Sequence, residues 1–148
     1  SPTAELLLYF ANRAQNVDEQ IRPALAAGRL VISDRYTDST LAYQGHARSL
    51  GAPLVEQLHH IACGGTEPTL TFYLRIRPET SRARLRRQSP DRLEAETDAF
   101  HLRVFEAYEQ LAARYPERIQ VIDGERGEAT IAADIWRIFE SRWSAHAQ

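Results

Sequence analysis

Asp34 and Arg35 stand side by side at the end of the apolar run Leu30-Val31-Ile32 and open the polar segment from Tyr36 to Gly45. An acid and an arginine at the end of a buried parallel strand face the crevice in which α/β sheets take their ligands. There Asp34 would help to position Mg²⁺, directly or through water, and the planar fork of Arg35 would hold phosphate oxygens by two parallel hydrogen bonds. The competing reading is a strand-end ion pair with no ligand.

Two further groups carry chemistry. Tyr9 and Arg13 are four apart and share one helix face. They are either ordinary packing plus a solvated arginine, or a base pocket in which the ring stacks on a heterocycle and the guanidinium donates to its carbonyl oxygen. Arg82, Arg84, Arg86, Arg87 and Arg92 crowd around the Ser89-Pro90 break. They are either a solvated helix end or an arginine lid that closes over transferring phosphates and neutralises their charge. His59, His60 and Cys63 suggest a metal, but zinc needs three or four ligands and no second pair matches, so none is expected there.

Counting excludes other chemistry. All 18 basic residues are arginine. A G-x-x-x-x-G-K-[ST] phosphate loop needs lysine, so none occurs between Ser1 and Gln148, and a Schiff-base lysine is excluded as well. A net charge of −2 gives no general attraction to nucleic acid or to an anionic membrane, so any bound polyanion should be small. No apolar run approaches the roughly 18 residues of a membrane span, and no charged-then-apolar leader opens the chain. The single cysteine, Cys63, rules out an internal disulfide, and a cytoplasmic protein is expected.

The elements that must position these residues read as follows. Ser1-Pro2 suits the start of a helix with Ala4, Leu7, Leu8, Ala11, Ala14, Val17, Ile21 and Leu25 at helical spacing, divided near Asp18 because of Pro23, and ended by Gly28. Leu30 to Ser33 reads as a short buried strand, Thr37 to Gln44 as a helix opening, and Pro53 to Cys63 as a helix closed by Gly64-Gly65. Thr69 to Ile76 and Ile119 to Ile122 read as further strands. Helices are expected from Pro78, from about Asp91 to Tyr115, and from Glu128 to Trp143. At 148 residues, 43% of them hydrophobic, the chain is one domain's worth of material. Strands alternating with helices indicate a doubly wound parallel α/β sheet, but three strands make it thin, as though one or two N-terminal βα units were missing.

The ordered blocks Glu5 to Gln15, Ile21 to Leu25, Val31 to Gly45, Pro68 to Thr71, Pro78-Glu79, Asp91 to Glu94 and Val121 to Asp123 resemble bacterial thymidylate kinases. The resemblance implies a P-loop NTPase-like fold and transfer of the γ-phosphoryl of ATP to dTMP, with Mg²⁺ as cofactor. Tyr9 falls where that family stacks an aromatic ring on thymine, and Arg13 where an arginine contacts the base. Asp34 and Arg35 match its Asp-Arg pair, the arginine on the dTMP phosphate and the aspartate serving Mg²⁺. Thr40, Tyr43 and Gln44 match positions lining the nucleoside pocket. The segment 78–94 matches the lid, with Arg84, Arg86 and Arg87 as candidates to assist transfer and Arg82 and Arg92 as candidates to hold ATP. The resemblance further implies a homodimer.

The chain departs from the family at Arg75, where the strand commonly ends in Asp, at His46-Ala47-Arg48-Ser49, and at Tyr9, more often phenylalanine. The family's phosphate loop and its second βα unit have no counterpart here, so these 148 residues alone would be inactive. The alternatives are a deoxynucleoside kinase, or a non-catalytic nucleotide-binding or dimerisation module.

Overall fold

Ser1 caps the first helix: its Oγ accepts from the Ala4 N–H at 3.3 Å, and Pro2 takes the first turn, where its missing N–H costs nothing. In the computed structural model, which describes residues 1–85 and 96–146, this helix, α1, runs Pro2–Asn16. It widens into a π-helical turn at Val17–Ile21 and resumes as α2, Arg22–Ala26. The expected break near Asp18 therefore takes the form of a π turn. Pro23 has no N–H to offer the Glu19 carbonyl and its ring would crowd it, and the wider turn absorbs both.

The expected stripe holds at Val17 and Ile21, which are buried, but within α1 the buried residues are Leu6 and Phe10, whereas Leu7 and Leu8 are 52% and 71% exposed. A run as apolar as Leu6-Leu7-Leu8-Tyr9-Phe10 offers several stripes of the same period, and only the packing partner selects among them.

The expected strand at Leu30 to Ser33 is not formed; Ile32 is 88% exposed. A strand exists only through a ladder, and among the described residues no backbone–backbone hydrogen bond reaches these four.

The described chain divides into two compact units. In the first, Ser1–Pro68 with Thr97–Glu109, the chain forms α3 at Thr37–Thr40, runs on as a π-helical segment over Leu41–Ala47, and forms α4 at Ala52–Cys63. Gly64 ends α4 in the left-handed conformation (φ 53°, ψ 40°), as its sequence position implies. Arg22 reaches over that end, donating from Nη2 to the Cys63 carbonyl at 2.7 Å and from Nε to Thr66 Oγ1 at 3.2 Å. One core joins Val17, Ile21 and Cys63; another joins Ala42 and Ala47 to Phe100, Val104 and Ala107 of helix α6, Asp98–Arg114. That helix begins at Asp98 rather than near Asp91. Thr97 Oγ1 accepts from the Phe100 N–H at 3.3 Å, the bond of an N-cap.

The second unit, Thr69–Glu96 with Gln110–Gln148, is built on two parallel strands, β1 (Thr71–Arg75) and β2 (Ile119–Asp123), paired in register from Thr71 with Ile119 to Arg75 with Asp123. Helix α5 (Pro78–Leu85) follows β1, and α7 (Glu128–His146) packs on β2 with Ile131, Ile135, Ile138 and Phe139 half-buried. Gly124 lets the chain leave β2 past β1. A Cβ there would lie 2.8 Å from Ile76 Cγ1 and 3.2 Å from the Arg75 carbonyl oxygen. Among the described residues no helix is long and apolar enough to cross a membrane.

Candidate functional site

The first unit gathers most of the expected site. Arg13, half-buried on α1, donates from Nη2 to Thr40 Oγ1 at 2.8 Å and to the Tyr36 carbonyl at 3.4 Å. Its guanidinium carbon lies 5.0 Å from the Phe10 ring centroid and 5.1 Å from that of Tyr36, so two aromatic faces hold the plane in place. Burial pulls this guanidinium below its ordinary pKa. Its other terminal nitrogen, Nη1, is buried without a hydrogen-bond partner. Such an atom is a charged donor awaiting an acceptor.

Thr40 and Gln44 are buried and Tyr43 half-buried, all on the segment that α3 opens. Gln44 Nε2 donates to Glu5 Oε1 at 2.9 Å, and Arg48 Nε lies 3.6 Å from the same oxygen. The Arg48 guanidinium sits over Phe100 at 4.9 Å, and Phe100 meets Tyr43 edge-on at 6.0 Å. Spacing alone did not mark Glu5, Arg48, Phe100 or Tyr108, because their link to the site is through space. The one signal in the sequence was a carboxylate, Glu5, among apolar residues.

Asp34 and Arg35 are exposed. Among the described residues Arg35 is one of two non-glycine residues with positive φ, at 63°, and Ser33 Oγ donates to its carbonyl oxygen at 2.9 Å, closing the turn. The turn sets the Arg35 guanidinium 5.1 Å from the Tyr43 ring centroid. Deeper in, Tyr108 bonds to Ser39, and burial pushes its phenol up to about 12. Tyr9 is 41% exposed on α1.

Among the described residues no group of three His, Cys, Asp or Glu side chains is placed to hold a metal. Of the arginine run, Arg82 and Arg84 fall on α5 in the second unit, and Arg84 Nη2 donates to the Gly124 carbonyl at 3.3 Å. Arg86, Arg87 and Arg92 lie outside the described residues. In the same unit Arg77 grips Glu125 through Nε and Nη2, at 2.9 and 2.7 Å. This grip pulls the Glu125 carboxyl down to about 2.

Parallel strands joined through helices place the chain in the α/β class. Residues 1–135 match the family model for thymidylate kinase. The chain is 49% identical over 142 residues to the thymidylate kinase of Synechococcus sp. strain JA-2-3B'a(2-13), covering 96% of this chain and 68% of the relative. It is 48% identical to that of Synechococcus sp. strain JA-3-3Ab (96% and 69% covered) and 49% identical to that of Gloeobacter violaceus (88% and 63% covered). The chain belongs to the thymidylate kinase family. It spans about two thirds of the length of these relatives.

Proposed function

We propose that the intact protein phosphorylates dTMP at the expense of ATP, giving dTDP, and that the first unit is the acceptor half of its site. Family membership and the relatives' names support the activity. The observation that carries the site reading is the buried Arg13 Nη1, a donor with no acceptor on the very side chain assigned to the base.

In this reading Arg13 donates to a carbonyl oxygen of thymine while the Tyr9 ring stacks on the base, and Thr40, Tyr43 and Gln44 line the nucleoside pocket. Arg35 fixes the acceptor phosphate through its fork of N–H donors. Arg84, Arg86 and Arg87, within a lid spanning 78–94, neutralise the charge of the migrating phosphoryl group, and Arg82 and Arg92 hold ATP. No protein nucleophile is required; the residues position the acceptor and balance its charge. With no lysine in the chain, the cradle for the donor phosphates is not among these 148 residues.

Mg²⁺ fits the donor set: it takes hard oxygen ligands, often only one or two carboxylates beside substrate phosphates and waters, and Asp34 offers one exposed carboxylate. Bound there, directly or through water, it would supply charge neutralisation at the ATP phosphates. A doubly wound P-loop fold, of which the β1–β2 pair is part, is the architecture this reading requires. A homodimer would cover exposed apolar residues such as Leu7 and Leu8 of α1 and Ile61 of α4. A cytoplasmic setting suits the buried free thiol of Cys63.

The test is ADP release by the intact protein supplied with ATP and either dTMP or thymidine. Turnover on dTMP alone is expected; turnover on thymidine but not dTMP would make it a deoxynucleoside kinase.

A further inference from the structure

Neither the phosphate turn nor the nucleoside pocket uses His59, yet this side chain is buried against the residues that follow Arg35. It stands on α4 at 8% exposure, and its Nδ1 lies 2.7 Å from Oγ1 of Thr37, itself 9% exposed. Thr37 is the first residue of α3 and comes two residues after Arg35. The same imidazole meets the Tyr36 ring edge-on at 6.0 Å, with an interplanar angle of 86°. Its Nε2 is 3.7 Å from Glu67 Oε1. One side chain from a distant part of the sequence thus holds both residues that follow Arg35.

The turn it holds is one that needs holding. Arg35 sits at φ 63°, a conformation unfavourable for a residue with a Cβ, and Tyr36 is extended outside any regular element. Local bonding supplies the Ser33 Oγ bond to the Arg35 carbonyl. A buried hydrogen bond between two polar side chains adds little net stability over an apolar pair of the same shape, but it is directional. Its natural use is to fix geometry.

We propose that His59 is a positioning residue for acceptor binding: through the Thr37 hydroxyl and the Tyr36 ring it holds the Arg35–Tyr36–Thr37 turn so that the Arg35 fork is aimed at the acceptor phosphate. The inference rests on the phosphate role given to Arg35 above. Charged and titratable groups face His59 from every side: Arg13 from α1, Asp38 from α3, His60 from its own helix and Glu67 from the segment after it. Burial is the largest influence and lowers its pKa, which favours the neutral ring with one donor and one acceptor nitrogen.

The test uses the intact enzyme with His59→Phe, which keeps a ring of similar size, His59→Asn, which keeps a polar atom near Nδ1, and Thr37→Val, an isostere without the hydroxyl. Removing either partner should raise the KM for dTMP about tenfold and leave the KM for ATP within about twofold. The double variant His59→Phe/Thr37→Val should be no worse than the more affected single, since both act through one bond. His59→Asn should recover most of the loss. Arg35→Ala runs beside them. If it weakens dTMP binding while folded His59→Phe and Thr37→Val do not, the clamp is overturned and the phosphate role stands. If Arg35→Ala itself binds dTMP as tightly as the unaltered enzyme, measured by calorimetry, the phosphate role fails and the clamp with it. Equal rises in both KM values with a lowered melting temperature would mean that His59 merely supports the fold.

Discussion

Arg13 on α1 and Thr40 on α3 are joined by a 2.8 Å hydrogen bond that leaves the second terminal nitrogen of the arginine buried and without an acceptor. The bond fixes the guanidinium plane, and the free donor gives that plane a direction. A lysine cannot reproduce this, because it lacks the rigid fork that serves Thr40 and a ligand together. Arg13→Lys should therefore raise the KM for dTMP at least about tenfold, the effect of losing a hydrogen bond from a charged donor. Steady-state kinetics at saturating ATP measure it. A KM equal to that of the unaltered enzyme would remove Arg13 from the base pocket.

The positive φ of Arg35 separates strain from function. Arg35→Ala keeps the left-handed turn with a Cβ, whereas Arg35→Gly relieves it. Both should abolish transfer, and the glycine variant should be more stable than the alanine variant by about 1 kcal/mol in denaturant unfolding. Equal stabilities would mean that the turn relaxes once the guanidinium is gone.

Gly64 combines two demands, a left-handed φ of 53° and the close approach of Arg22, whose Nη2 would lie 2.5 Å from an added Cβ. Gly64→Ala must displace Arg22 from the Cys63 carbonyl and from Thr66. A loss of about 1–3 kcal/mol is expected, read as a lower midpoint of chemical denaturation at unchanged slope.

Buried His59 and half-buried Tyr108 give stability opposite dependences on pH. Burial lowers the pKa of His59 below its ordinary value of about 6.5, so the unfolded chain takes up a proton that the folded chain resists. The contribution of the neutral ring is present above about 6.5 and is lost as pH falls through the folded value. Tyr108 is raised to about 12, so its contribution is complete below the ordinary tyrosine value of about 10 and is lost as pH rises through about 12. Melting temperatures of His59→Phe and Tyr108→Phe across pH should flatten the acid and alkaline limbs respectively. An unchanged acid limb in His59→Phe would refute the buried neutral imidazole.

What the sequence made legible was local. Gly64 as a helix stop, the strands expected at Thr69 to Ile76 and Ile119 to Ile122 and formed at Thr71–Arg75 and Ile119–Asp123, and the helix break before Pro23 all follow from the chemistry of a few neighbouring residues. Leu30 to Ser33 misled because a strand is a relation between segments and no described partner supplies its ladder. The phase of α1 misled because Leu7 and Leu8 are as apolar as Leu6, which the fold buries. In the site, residue type and position pointed to Arg13 and Arg35, whereas Thr40, Tyr43 and Gln44 came only from the resemblance to thymidylate kinases. Glu5, His59, Phe100 and Tyr108 reach the same place from sequence positions as far apart as 5 and 108, and no spacing reveals that.

The central claim, that Arg35 holds the acceptor phosphate, is tested most directly by the calorimetric affinities of dTMP and thymidine for the intact protein and for Arg35→Gln. The two ligands differ only by the phosphate. The unaltered protein should prefer dTMP, and Arg35→Gln should reduce that preference by about ten- to hundredfold while leaving thymidine binding near its original value. An Arg35→Gln protein that keeps the full preference for dTMP would contradict it.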